Sequence, residues 1–157
     1  MTRAYGRAPT HERVYGSVPK NWGDNITLSA GITRDGLIAP LRLIGSMNGD
    51  YFEAYVETLV VPELRPGDIV IWDNLGAHKC ARVAQLIADA GAEVVFLPPY
   101  SPDLNPIEMI WSKVKSVLRT IGARTFDALE EAIVVALRTV TAEDTTNCIR
   151  HAGYAVP

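Results

Sequence analysis

An α/β fold is predicted by three features of this 157-residue sequence. The segments "DIVIW" (68–72) and "EVVFL" (93–97) are short and continuously apolar, the pattern of strands covered on both faces. A helix-length segment lies between them, and a strand–helix–strand succession pairs its two strands in parallel. Ahead of them, "NITLSAGITRDG" and "LIAPLRLIG" read as strands joined at Asp35-Gly36, a strong hairpin signal that adds an antiparallel pair on one side.

The remaining elements follow from periodicity and punctuation. Residues 1–24 are polar, rich in Gly, Pro and Arg, and read as an irregular arm ahead of a domain spanning 25–157. In "GDYFEAYVETLVVPEL", Phe52, Tyr55, Val56, Leu59 and Val60 fall at helical spacing, and Pro62 ends the pattern. "AHKCARVAQLIADAG" predicts a helix closed by Gly91. A further helix runs from Pro106 to about Ile121 and stops at Gly122. "TFDALEEAIVVALRTV" is the next, capped by Thr125, and a last short helix begins near Ala142.

Composition narrows the class. The length suits one domain with a substantial core, and 48% hydrophobic residues are ordinary for a globular chain. No apolar run approaches the roughly 18 residues of a membrane span. The basic N-terminus lacks an apolar core segment, so it does not read as a secretory signal, and the expected location is the cytoplasm, in association with the nucleoid. Cys80 and Cys148 are too few for a disulfide framework, and Cys80 is expected as a small buried residue on a helix. A net charge of −3 argues against a surface that grips nucleic acid everywhere, while leaving room for a local basic strip.

Two carboxylates stand out. Asp73 ends the first apolar strand, at the edge where open α/β sheets place ligands. A turn-forming Asp before Asn74 explains it equally well. Glu108 follows Asn105 and Pro106 at the start of a helix, where Asn105 as cap and Glu108 at the third position match a capping box. Function and capping are both open for it. The helix carries an apolar stripe of Ile107, Ile110, Trp111, Val114, Val117, Leu118 and Ile121. Glu108, Ser112, Lys115 and Arg119 form a separate polar stripe, with the carboxylate at the helix N-terminus that favours its ionised form. Two ionised carboxylates are the hard oxygen ligands that Mg²⁺ takes while keeping room for water and phosphate. Lys115 and Arg119 are either DNA-backbone contacts or a solvated helix face.

"DNLGAHK" followed by "FLPPYSPDLNPIEMIWSKVK", with 34 residues (74 to 107) between Asp73 and Glu108, resembles the transposases of the IS-six-thirty and mariner group. These belong to the Asp-Asp-Glu (DDE) superfamily, with an RNase H-like catalytic core. "YGRAP", "GSMNGDYFEAYVE" and "RHAGY" fit in order, so the resemblance covers nearly the whole chain. It implies an RNase H-like mixed sheet flanked by helices, with Asp73 and Glu108 as catalytic residues and metal ligands. Asn74, His78, Asp103 and Asn105 are implied as supporting scaffold. The implied chemistry is Mg²⁺-dependent phosphodiester hydrolysis at transposon ends and strand transfer into target double-stranded DNA, with Mn²⁺ as a substitute metal. The family's first catalytic Asp lies on a strand upstream of "YGRAP", and no residue here matches it. The resemblance therefore implies a domain incomplete at its N-terminus, lacking the central strand, with two strand edges unpaired. Such a chain is expected to be inactive alone and to associate as a homodimer or with an upstream transposase half. The rival is a non-catalytic remnant acting only through interaction or DNA binding. A nucleotide site has no glycine-rich signature to support it. A zinc site from His78, Cys80, Cys148 and His151 has spacings unlike the common structural types.

Overall fold

The computed structural model describes residues 7–13, 15, 25–73 and 80–156. Of the arm, residues 7–13 and Tyr15 are exposed and form no helix or strand. The domain begins with an antiparallel hairpin, β1 (Ile26–Thr33) and β2 (Gly36–Ile44). Its two-residue loop is Arg34-Asp35, and Gly36, expected in the turn, is instead the first residue of β2, paired with Thr33 at a φ of +132°. The register slips between Ser29 and Gly31, where β2 carries an extra residue. Ala39 takes a positive φ of 47° there, followed by Pro40, which has no N–H to give to a ladder.

α1 (Gly49–Tyr55) is capped by Asn48, whose side chain accepts from the Tyr51 N–H. It then widens into a π-helical turn over Val56–Val60 and tightens into a 3₁₀ turn at Val61–Glu63. The helical path thus runs one residue past Pro62, the expected stop. Proline lacks the N–H of an α-turn and its ring crowds the carbonyl four residues back. The widened turn makes room, with Val61 N–H reaching Val56 O. β3 (Ile69–Trp72) and β4 (Glu93–Phe96) pair in parallel from Ile69↔Glu93 to Trp72↔Phe96, as their apolar runs predict. α2 (Ala81–Asp89) joins them. The predicted residues 77–79 of that helix lie outside the described residues. Cys80 is not on the helix: it is the half-buried, extended residue ahead of Ala81. Gly91 closes α2 with φ +78°, and a Cβ there would stand 3.3 Å from Pro66 Cα. At the same place Gly67 N–H donates to Gly91 O at 2.8 Å.

α3 (Ile107–Ile121), α4 (Phe126–Arg138) and α5 (Ala142–His151) follow the predicted boundaries closely. Gly122 ends α3 in the left-handed region, its N–H on Leu118 O. Thr125 caps α4 through Ala128 N–H, and Thr141 and Asp144 form a capping box on α5.

The apolar residues collect in two clusters. The first joins Ala39, Phe52, Tyr55, Val56, Val60, Val83 and Ile87, with Val70, Trp72 and Val94 packed against them. The second joins Ile110, Val114, Leu118, Ala132, Ile133 and Ala136, with Ile26, Leu28, Ile32 and Leu37 of the hairpin beneath. The sheet is divided in the same way: among the described residues β1–β2 and β3–β4 are separate two-stranded sheets. This corrects the expected burial of β3 and β4. Ile69 is 61% exposed, Val95 41% and Phe96 39%. Of the alternating residues, Val70, Trp72 and Val94 are the ones packed into the first core.

Ile110 is 1% exposed, so Ile110→Ala should lower unfolding free energy by about 3 kcal/mol through lost burial and a cavity, read as a shifted urea midpoint. Lys113 Nζ lies 2.5 Å from Asp144 Oδ2. This contact, then the Thr141 backbone and hydroxyl, pulls the Asp144 carboxyl down to about 2. A depressed carboxylate contributes stability above its unfolded value and loses it as pH falls toward 2. Acid titration should therefore show a loss of stability between about pH 4 and 2 that Asp144→Asn lacks.

Candidate active-site cleft

A cleft of about 900 Å³ opens between the two half-sheets. Its walls include Leu28–Thr33 of β1, Asp68–Asp73 at β3, and Asn105–Glu108 with Trp111 at the head of α3. Asp73 and Glu108, from segments 34 residues apart (74 to 107), thus line one cavity, together with Asn105.

Each is placed by a different device. Asp73 is the first residue past β3, half-buried, and its height is set by the parallel ladder: Leu97 N–H donates to Trp72 O at 2.7 Å. Trp72 is fixed in turn by an edge-on contact with Phe52, ring centroids 5.3 Å apart. Glu108 is exposed on the first turn of α3, on the face opposite buried Ile110 and Val114. The chain reaches α3 through a 3₁₀ turn at Pro102–Leu104, where Asp103 is exposed. Asn105 is extended and half-buried, with its N–H on Pro102 O at 3.0 Å. Tyr154 holds this turn from the far end of the chain, donating its hydroxyl to Leu104 O at 2.8 Å. That positioning contact was not foreseen; an aromatic residue beyond the last helix carries no local signal of where it docks.

The capping alternative for Glu108 is not realised. The α3 terminus has no side-chain cap hydrogen bond, and Glu108 N–H goes to the Asn105 backbone carbonyl at 3.1 Å. The capping box of this protein is at Thr141 and Asp144 instead. Lys115 and Arg119 are exposed as expected, but they do not line the cleft. At 1.5 Å per residue they lie roughly 10 and 16 Å along α3 from Glu108. Asn74 and His78 lie outside the described residues.

The described lining of the cleft offers carboxylate and amide oxygens and no Cys or His. Such hard donors suit a cation of the Mg²⁺ type rather than a thiophilic one. Among the described residues no three His, Cys, Asp or Glu side chains converge as a complete metal cage. Cys80 packs against the first core and Cys148 against the second. Burial pushes the Cys148 thiol up, with nearby Asp144 adding to the effect.

Taken together, these elements define an α/β domain whose two half-sheets flank a cleft lined by Asp73 and Glu108 among other residues. A family model described as a DDE superfamily endonuclease matches residues 1–133, and the chain belongs to that family, whose members include transposase catalytic domains. It is 30% identical over 98 residues to the transposable element Tcb1 transposase of Caenorhabditis briggsae, a match spanning 59% of this chain and 36% of that protein. Among solved structures, the Mos1 strand transfer complex superposes with a TM-score of 0.71 at 15% identity, over 100% of this chain and 51% of the Mos1 chain. A Mos1 paired-end complex with the left transposon end gives 0.72 at 15% identity, over 97% and 47%. The Mos1 catalytic domain with Raltegravir and Mn gives 0.59 at 14%, over 86% and 84%. These likenesses establish the RNase H-like fold. The chain spans about a third of the Tcb1 transposase and half of the longer Mos1 chains.

Because Glu108 caps nothing, Glu108→Gln should shift the unfolding free energy by less than about 0.5 kcal/mol. Thr141→Ala, which removes a formed cap, should cost about 1 kcal/mol. Parallel urea titrations of the two variants provide the comparison.

Proposed function

We propose that this chain carries the catalytic cleft of a DNA-cleaving and strand-transferring transposase, with Asp73 and Glu108 as its catalytic carboxylates. The observation that carries the reading is their convergence on one cleft in a chain of DDE superfamily membership. Asp73 and Glu108 would hold a divalent cation, Mg²⁺ or Mn²⁺. When bound, such an ion neutralises phosphate charge and lowers the pKa of its water. Mn is named with a Mos1 paired-end complex and with the Mos1 catalytic domain, which supports a divalent cation here.

The chain's own residues supply the rest. Lys115 and Arg119 continue outward from Glu108 along one face of α3, so a phosphate backbone entering the cleft meets a cation two and then three turns along the helix. Asn105 orients the start of α3, and Tyr154 braces the turn before it. Asn74 and His78, which lie outside the described residues, are proposed from the family resemblance as supporting groups. The DNA partner is proposed by the likeness to Mos1 complexes with transposon ends. Association with a second copy or another transposase segment belongs to the same proposal.

A second reading has one observation in its favour: among the described residues no group of three His, Cys, Asp or Glu side chains is placed to hold a metal ion, although Asp35, Glu63 and Asp68 also line the cleft. On that reading the chain binds DNA or a transposase without cutting. The deciding experiment offers a labelled duplex with candidate terminal repeats, with and without Mn²⁺, to the chain joined to an upstream transposase segment that supplies a third carboxylate, because the chain alone is expected to be inactive. Metal-dependent nicking abolished by Asp73→Asn and by Glu108→Gln supports catalysis; DNA binding without nicking supports the module. Replacing Lys115 and Arg119 by Ala should weaken DNA binding and reduce the salt slope by roughly one per cation. An unchanged slope removes them from the DNA interface.

A further inference from the structure

Helix α4 buries one face and leaves the other bare. Ala132, Ile133 and Ala136 are buried in the second core with Ile110, Val114 and Leu118 of α3. On the opposite side Asp127, Glu131, Val134, Val135 and Arg138 are exposed. A solvated helix face normally carries polar or charged residues throughout. Here two adjacent valines stand at its middle, 48% and 51% exposed. Valine is among the weaker helix formers, so local propensity does not explain the pair.

A single exposed valine means little. The charges around this pair give it a direction. Residues 131–138 read Glu-Ala-Ile-Val-Val-Ala-Leu-Arg, symmetric in character about the Val134–Val135 bond except for the opposite signs at the two ends. At about 100° per residue, Glu131 and Arg138 fall within about 20° of each other around the helix, on the midline of the bare face. One valine lies about 50° to either side of that line. Two turns, roughly 10.5 Å along the axis, keep the two charges from pairing within one helix. Among the described residues neither forms an ion pair, whereas the neighbouring Glu130 is taken by Arg42.

This face is complementary to itself in one orientation only. With a second α4 laid antiparallel about a two-fold axis at the Val134–Val135 bond, Glu131 of each copy meets Arg138 of the other, and the valines pack at the centre. The opposed helix dipoles favour the same orientation. A parallel pair would set like charge against like. Glu131 and Val134 also line a groove of about 430 Å³ against Pro40 and Leu41 of β2, so the apolar surface continues from the helix onto the hairpin.

We propose that the bare face of α4 is a docking surface for a second copy of this chain, joined across a two-fold axis with Glu131 and Arg138 paired in both directions. The stripe from Asp127 to Arg138 is only about 16 Å long, so the contact belongs to the small, concentration-dependent class. It gives the association proposed above a location apart from the cleft, whose lining contains none of these side chains. Loss of this surface would leave the catalytic reading standing.

Sedimentation equilibrium of the full chain at low salt, without DNA or divalent ions, should show a reversible monomer–dimer equilibrium. Glu131→Arg leaves two cations at the opposed positions, and Arg138→Glu leaves two anions. Each variant alone should dimerise at least tenfold more weakly than the wild type. An equimolar mixture of the two should recover a 1:1 dimer within threefold of the wild-type affinity, because a cationic face then meets an anionic one. Val135→Asp should abolish self-association. All three positions are exposed, so circular dichroism should stay unchanged. A monomer at every concentration up to about 1 mM, a dimer that both charge reversals leave unchanged, or a mixture no tighter than its components would each overturn the proposal.

Discussion

The hairpin belongs to both cores at once, and the rest of the domain depends on that. Ile26, Leu28, Ile32 and Leu37 lie on the second cluster with α3 and α4, whereas Ala39 is buried in the first, beside Phe52 and Tyr55. In a regular strand Leu37 and Ala39, two residues apart, would point to the same face and so to the same core. The extra residue at Ala39-Pro40 breaks that alternation and re-aims the chain. The Tyr55 hydroxyl then donates to Ala39 O at 3.0 Å, tying α1 to the bulge. Burial of that phenol pushes it up to about 12. Asp73 rides on the first cluster and Glu108 on the second, so the spacing of the two carboxylates is inherited from this junction.

Within each half the acid is held by ordinary packing rather than by specialised bonds. β3 and β4 share only four residue pairs, too few to persist in water unaided. They persist because Val70, Trp72 and Val94 lie on Val83, Ile87 and Phe52. α3 similarly commits Ile110, Val114 and Leu118 to α4, which leaves its opposite face free for a carboxylate and two cations. Charge pairs sit elsewhere: Arg42 with Glu130, Arg82 with Glu53 and Glu57, and Lys113 with Asp144. The cations of the polar stripe, Lys115 and Arg119, are not among these pairs and remain exposed.

Most elements could be read from the chain because their signals are local. Gly122 and Thr125 mark helix ends through backbone angles and cap hydrogen bonds that depend on a few neighbours. The candidate acids were also legible, through Asp73 after an apolar run and the long signature leading to Glu108. What was not legible is tertiary. "DIVIW" and "EVVFL" look like strands buried on both faces, yet Ile69, Val95 and Phe96 are exposed, because coverage depends on what lies alongside. Capping and metal-binding uses of Glu108 share one sequence pattern, and the structure shows only that the cap bond is not formed. Tyr154 bracing Leu104 joins residues 50 positions apart, which no periodicity announces.

The contact of Gly91 with Pro66 has a consequence for where mutation does harm. With Gly67 N–H on Gly91 O and Glu93 N–H on Asp68 O, this close approach is where the parallel ladder starts counting. A methyl group at 91 would have to push Pro66 back by a few tenths of an ångström and would strain a backbone held at a φ of +78°. In a period-two ladder, a single-step displacement turns every side chain over, and the carboxylate after Trp72 would swing to the wrong side of the sheet. A bare glycine at the remote end of the ribbon therefore helps set the alignment of the carboxylate at its tip.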